Sequence, residues 1–98
     1  MKILAIEKDL PGVTAEHFTE DLKTEEAAQV WRLHQEGVFR ELYFRQDKHA
    51  AVLALECGNV QQAGEILQTL PMVAAGLITF DLIPLVAYPG FSRLFHEK

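Results

Sequence analysis

Two polar residues, Arg40 and Glu26, fall in apolar settings, and both belong to the residue types that move protons or hold negative charge. If residues 38–45 run as a strand, alternation sets Val38, Arg40, Leu42 and Phe44 on one face and Phe39, Glu41, Tyr43 and Arg45 on the other. A guanidinium on an apolar sheet face must be paired or bind an anion, because burying it alone is costly. Arg40 is therefore either a catalytic or anion-binding residue, or half of a structural ion pair with a carboxylate of a second copy. Glu26 and Gln29 fall at helical spacing on the stripe formed by Ala15, Phe18, Leu22 and Leu33. Desolvation disfavours the ionised form of a partly buried glutamate, which suits a general base working near neutral pH. A competing stripe, Ala27, Val30, Trp31 and His34, would instead kink the helix near Lys23 and leave Glu26 in solvent. One carboxylate or imidazole to carry a proton, with one Arg or Lys to hold developing negative charge, is a sufficient set for proton-transfer chemistry.

Lys23 precedes Glu26 by one helical turn, a spacing that serves a surface ion pair or a ligand clamp. Of the four histidines, His17 and His96 read as surface residues, whereas His34, beside Trp31, and His49, at a turn, are candidates for acid and base work. None of the four forms a spaced metal cluster, so no metal is expected. Tyr43 lies on the strand face opposite Arg40, and only a bulge would bring both into one pocket of the same chain. The candidates for ligand contact are Lys23, Arg40, Tyr43 and Phe39, although Phe39, Phe44, Phe80 and Trp31 also suit a core. Asp81, inside an apolar strand, is a candidate partner for Arg40 or Arg45. Cys57 has no basic neighbour to favour its thiolate and reads as a buried, inert thiol.

These residues need elements to position them. Lys and Arg number 9 against 14 Asp and Glu, a formal net charge of −5 over 98 residues with 49% hydrophobic content, which predicts one folded domain spanning residues 1–98. An acidic chain without a basic run offers phosphates little, so nucleic acid is not an expected partner. No apolar run is long enough for a spanning helix, and the stretch before Glu7 is too short for a secretory core. No membrane partner and a cytoplasmic location are expected. A lone cysteine cannot form an internal disulfide.

Lys2 to Glu7 predicts a strand ended by Asp9-Leu10-Pro11-Gly12. Thr14 is the expected N-cap of a helix running to Glu36, with Gly37 as its C′ residue. Residues 38–45 and 50–57 predict a hairpin across Gln46-Asp47-Lys48-His49. Asn59, with Gln62 at capping-box spacing, opens a second helix carrying the stripe Val60, Ala63, Leu67 and Leu70, with Pro71 as its terminator. Residues 77–86 predict the last strand, with Pro84 marking an edge or a bulge. Beyond Tyr88-Pro89-Gly90, residues 88–98 predict a tail in which Phe91, Leu94 and Phe95 form one helical turn suited to docking on a neighbouring subunit.

The order β-α-β-β-α-β is the ferredoxin-like arrangement, an α+β fold with two helices on one face of a four-stranded antiparallel sheet. Ile3-Leu4-Ala5-Ile6, Ala51-Val52-Leu53-Ala54-Leu55 and Leu77-Ile78-Thr79-Phe80 are apolar on both faces, whereas a solvated face would alternate with charge. The uncovered face therefore predicts a homodimer or higher homo-oligomer, with a small ligand in the space between the two facing sheets.

Glu36-Gly37-Val38-Phe39-Arg40-Glu41-Leu42-Tyr43, Leu70-Pro71 and Lys23-Thr24-Glu25-Glu26 together resemble muconolactone delta-isomerases and their uncharacterised relatives, over residues 23–85. The resemblance implies a dimeric α+β barrel, sometimes assembled into larger rings. It also implies isomerisation of an unsaturated lactone, or a related small anionic metabolite, without metal or organic cofactor. Such a 1,3-proton shift needs a base, an acid and a positive group at the enolate oxygen. The sequence departs from the family in Phe44-Arg45-Gln46-Asp47-Lys48-His49 and in the tail from Tyr88 to Phe95, both expected near the pocket. Rival readings are a cofactor-free oxygenase or a dehydrating or dehalogenating enzyme on the same scaffold, and a non-catalytic ligand-binding or assembly module.

Overall fold

The computed structural model describes residues 1–95. In chain order it contains β1 (Lys2–Asp9), a 3₁₀ turn (Ala15–His17), α1 (Glu20–Gln35), β2 (Phe39–Phe44), β3 (Ala51–Glu56), α2 (Val60–Leu67), α3 (Pro71–Ala74), β4 (Ile78–Pro84) and a second 3₁₀ segment (Gly90–Phe95). The strands form one antiparallel sheet in the order β2-β3-β1-β4, so the fold is the expected ferredoxin-like α+β arrangement.

Strand register divides the sheet into two faces. Ile3 lies opposite Leu55 and Pro84, Ala5 opposite Leu53 and Leu82, and Glu7 opposite Phe80. This row faces the helices. Ile3, Ala5, Leu53, Leu55 and Phe39 pack there against Leu33 of α1, Ala63 and Leu67 of α2, and Leu70. The other face carries Leu4, Ile6, Val52, Ala54 and Ile83, and no helix among the described residues covers it. Its rim is charged, with Lys2 paired to Glu41 at 3.7 Å and Lys8 to Asp81 at 3.0 Å. Asp81 thus pairs with Lys8, and with neither Arg40 nor Arg45.

The first helix is not continuous from Thr14. Thr14 heads the 3₁₀ turn, its amide donating to Nδ1 of His17 at 2.9 Å, and the chain reopens before α1. The α-helical N-cap is Thr19, whose Oγ1 accepts from the Leu22 amide at 3.2 Å. The break therefore falls at residues 18–19, one turn earlier than the kink expected near Lys23. The C-terminus ends as expected: Gly37 has φ +80°, its amide donates to the His34 carbonyl and Val38 N donates to the Leu33 carbonyl at 3.0 Å.

Pro71 also plays a different part from the expected one. The helix capped by Asn59, whose Oδ1 accepts from Gln62 N at 2.8 Å, ends at Leu67, and Pro71 occupies the first position of α3. Proline suits that site, because the first amides of a helix have no intrahelical acceptor and its fixed φ is already helical. The strand of residues 38–45 is interrupted too. Phe39 opposes Leu55 but Glu41 opposes Ala54, so Arg40 is the extra residue of a β-bulge. The bulge resets alternation: Phe39, Leu42 and Phe44 face the helices, and Glu41 and Tyr43 face away.

Cys57 is partly exposed rather than buried, with Sγ 3.5 Å from the Asn59 carbonyl. The tail forms its expected single turn at residues 90–95, and the Tyr88 ring packs edge-on against Phe91 at 5.0 Å between centroids. A β-carbon at Gly90 would meet the Tyr88 ring, so a larger residue there requires that exposed ring to swing aside. His96 and the rest of the expected tail lie outside the described residues.

Candidate active site

A cavity of about 670 Å³ opens between the N-terminal half of α1 and the helix-facing side of the sheet. The space for a ligand thus lies under the helix, and not on the uncovered face where the pairing of sheets was expected to house it. Its apolar walls come from Phe18, Ala27 and Val30 on one side and Leu53, Ile78 and Phe80 on the other, with Leu70 and Met72 beside them. Glu7, Asp9, Lys23, Glu26 and His49 supply its polar side chains.

The sheet provides Glu7 through simple alternation. Ile3, Ala5 and Glu7 share a row, and where Ile3 and Ala5 are fully buried under the helices, Glu7 reaches into the cavity. The β1–β3 ladder stops at Ile6 and Val52, and the Ala51 amide beyond it donates to Oε1 of Glu7 at 2.9 Å. Glu26 enters from α1, where Lys23, Glu26, Ala27 and Val30 share the cavity side. Its Oε1 accepts from the Met72 amide at 3.0 Å. That amide belongs to the first turn of α3 and needs an acceptor from outside its own helix.

Burial is the main cause that raises the Glu26 carboxyl above its ordinary pKa; the Met72 hydrogen bond opposes this, and the negative charge of Glu7 adds to it. Glu26 is therefore a carboxyl shifted toward the range in which a base can take and return a proton. Lys23 lies 3.4 Å from Glu20 in an exposed pair, so its expected pairing with Glu26 is replaced by one on the outer turn. Asp9 has Lys48 at 3.4 Å. His49 stacks on Phe44 with ring centroids 4.5 Å apart, and both line the cavity at the hairpin end. Tyr43 is among the lining residues, but its side chain faces away from the helices and its hydroxyl donates to Glu41 on that other face at 3.0 Å, a bond that raises the phenol pKa.

Of the residues expected to act, Glu26 and His49 are brought together with Lys23 around one cavity, whereas the Tyr43 side chain turns to the other face of the sheet and Arg40, His34 and Phe39 do not line the cavity. Arg40 sits in the bulge, and its Nε donates to the Gly37 carbonyl. The alternation that placed its guanidinium among Val38, Leu42 and Phe44 fails at that bulge. His34 Nδ1 bonds the Phe39 carbonyl at 2.7 Å, tying the end of α1 to the start of β2. Phe39 is fully buried in the core. Glu7 escaped the sequence reading because β1 reads as apolar on both faces; the alternation Ile3, Ala5, Glu7 was the signal available. Among the described residues, no group of three or more His, Cys, Asp or Glu converges as a metal site. Nor is any described helix long and apolar enough to cross a membrane.

The strand order and the two layers define the chain as a ferredoxin-like α+β domain. Among solved structures, it is similar to muconolactone isomerase, with a TM-score of 0.70 and 20% identity, covering 91% of this chain and 92% of that one. It is likewise similar to 5-chloro-2-hydroxyhydroquinone dehydrochlorinase from Burkholderia phenoliruptrix, solved with 2,5-dihydroxybenzoquinone, with a TM-score of 0.69, 16% identity and coverage of 92% and 98%. No protein-family model and no curated protein matches the sequence. The resemblance to muconolactone isomerases is thus met at the level of the fold.

Proposed function

We propose that the protein binds a small unsaturated ring compound bearing a carbonyl group in the cavity beneath α1 and isomerises it by proton transfer, without a cofactor, as a lactone isomerase does. The observation that carries this reading is Glu26: a half-buried carboxyl in a largely apolar cavity, with one oxygen anchored by a backbone amide and a pKa raised by burial. Glu26 takes the proton next to the carbonyl. Lys23, one turn away on the same helix, leaves its exposed partner to stabilise the enolate oxygen. The proton then returns at the far carbon of the conjugated system, from Glu26 itself or from His49 at the hairpin end.

Base removal of a proton also begins an elimination, in which the electron pair left behind expels a halide as the ring gains a double bond. The structural likeness to a dehydrochlorinase favours this as a second reading. A binding module would need Glu26 only as the acceptor for Met72, and a substitution separates the cases. Incubation with unsaturated lactones in deuterated water, followed by NMR, should show exchange at the carbon beside the carbonyl. Glu26→Gln, which keeps an acceptor oxygen for Met72, should retain ligand binding and lose exchange. Exchange of equal rate in the variant would remove Glu26 from the chemistry, and none with any lactone would leave the scaffold without the isomerase activity.

The homodimer belongs to the same reading. It is supported by the row of Leu4, Ile6, Val52, Ala54 and Ile83 on the uncovered sheet face, which a second copy can bury with two-fold symmetry. The apolar tail supplies a further contact between copies.

A further inference from the structure

The charges around the cavity are not balanced. Asp9 has Lys48 nearby, but Glu7 and Glu26 have no ion-pair partner among the described residues. Each is instead anchored by one oxygen to a backbone amide, Glu7 from the sheet by Ala51 and Glu26 from α1 by Met72, leaving the second oxygen for a ligand. The cation among the lining residues is Lys23, already 3.4 Å from Glu20, and Arg40 lies outside the cavity. A ligand carboxylate entering this space meets two fixed charges of its own sign and one shared ammonium. A ligand hydroxyl meets acceptors held in place in apolar surroundings, where a charge-assisted hydrogen bond is strong.

We propose that Glu7 is a specificity-determining residue of this site: with Glu26 it forms an acceptor pair that takes a neutral, hydroxyl-bearing unsaturated ring and rejects the carboxylate-bearing counterpart. The inference rests on the proposed use of the cavity as the ligand site. It reverses the anionic ligand expected when Arg40 was placed in the pocket.

The test uses two butenolides alike except for the ring substituent, hydroxyethyl in one and carboxymethyl in the other. Each is titrated at neutral pH into the unmodified protein and into Glu7→Gln, which keeps an acceptor for Ala51 and removes only the charge. The unmodified protein should prefer the hydroxyethyl compound by about tenfold or more, and Glu7→Gln should shrink that preference about tenfold, chiefly by gaining affinity for the carboxymethyl compound. The preference of the unmodified protein is itself a readout that does not depend on the variant folding. An unchanged ratio in Glu7→Gln, a preference of the unmodified protein for the carboxymethyl compound, or binding of neither overturns the assignment. Binding is read without turnover. A protein that prefers the hydroxyethyl compound yet exchanges no proton keeps this assignment and refutes proton transfer; one that exchanges protons in both compounds with equal affinity does the reverse.

Discussion

At the scale of residues, Glu26 joins a structural duty to a chemical one. Its Oε1 satisfies the Met72 amide at 3.0 Å, and the burial that secures this bond also raises its pKa. Removing a positioned base costs about 10²- to 10⁴-fold in rate, so Glu26→Gln should lower kcat by that order while ligand affinity, measured by titration, holds. Stability gives an independent check. The folded-state pKa is raised above the unfolded value, so folding favours the protonated form. The contribution is therefore fully present below the unfolded carboxyl pKa and is lost as pH rises through the folded one. Thermal melts of the wild type should fall with pH across that window, and the Glu26→Gln curve should lack this component. Equal slopes would show that burial does not perturb the carboxyl. Helix phase made Glu26 legible in the sequence, since one stripe carried it with Phe18 toward the sheet. Glu7 was hidden by the apolar residues around it, and Arg40 was misplaced because strand alternation carries no sign of where a bulge resets it.

At the scale of elements, the cavity exists because the chain between β1 and α1 does not continue as helix. A helix begun at Thr14 would add a turn on the stripe of Ala15 and Phe18, both of which instead line the open space. Thr19 sets the restart, and through it the position of Lys23 and Glu26 one to two turns on. Thr19→Ala should cost about 1 kcal/mol, read by chemical denaturation, and should weaken ligand binding more than a comparable destabilisation elsewhere. Asn59→Ala, which uncaps α2 away from the cavity, is the matched control. At the other end of α1, Arg40 spans back to the Gly37 carbonyl, closing the corner into β2. Arg40→Met is expected to leave ligand affinity in place and to lower stability by about 1 kcal/mol, the worth of one hydrogen bond. A large loss of affinity with stability unchanged would return the guanidinium to the site. The element order, the Asn59 cap of α2 and the Gly37 terminus were legible, because local chemistry decides them. The break before Thr19 and the separate α3 were not, because each depends on packing against distant residues: Glu26, from α1, supplies the acceptor that the first turn of α3 needs.

At the scale of the whole molecule, the isolated chain is too extended for its length. Its radius of gyration is 16.4 Å and its longest dimension 63 Å, against about 13 Å expected for the radius of a compact chain of 100 residues. The excess follows from the segment beyond Pro84, where Val86, Tyr88, Phe91, Leu94 and Phe95 are all exposed, Phe95 by 78%. Such a cluster on a projecting arm is stabilised by reaching another copy, since on its own chain it leaves apolar area in water. The uncovered sheet face presents the same problem a second time, with Ile83 at 41% exposure and Leu4, Ile6 and Val52 beside it. The two surfaces make separable demands. Face-to-face pairing of sheets closes a two-fold dimer, whereas an arm that docks on a neighbour either tightens that dimer or links dimers into a larger closed ring. Val52→Asp places a charge at the centre of the face, opposite Ile6 and Tyr43 on adjoining strands, without entering the core. Light scattering coupled to size exclusion should then report monomers. Truncation after Tyr88 should leave dimers but abolish any larger assembly, and because the cavity opens on the helix side of the sheet, monomeric Val52→Asp should keep its ligand affinity. Loss of affinity on monomerisation, with the fold intact by circular dichroism, would instead mean that a neighbouring copy completes the cavity, and the arm carrying Phe91 and Phe95 would be the segment to place there.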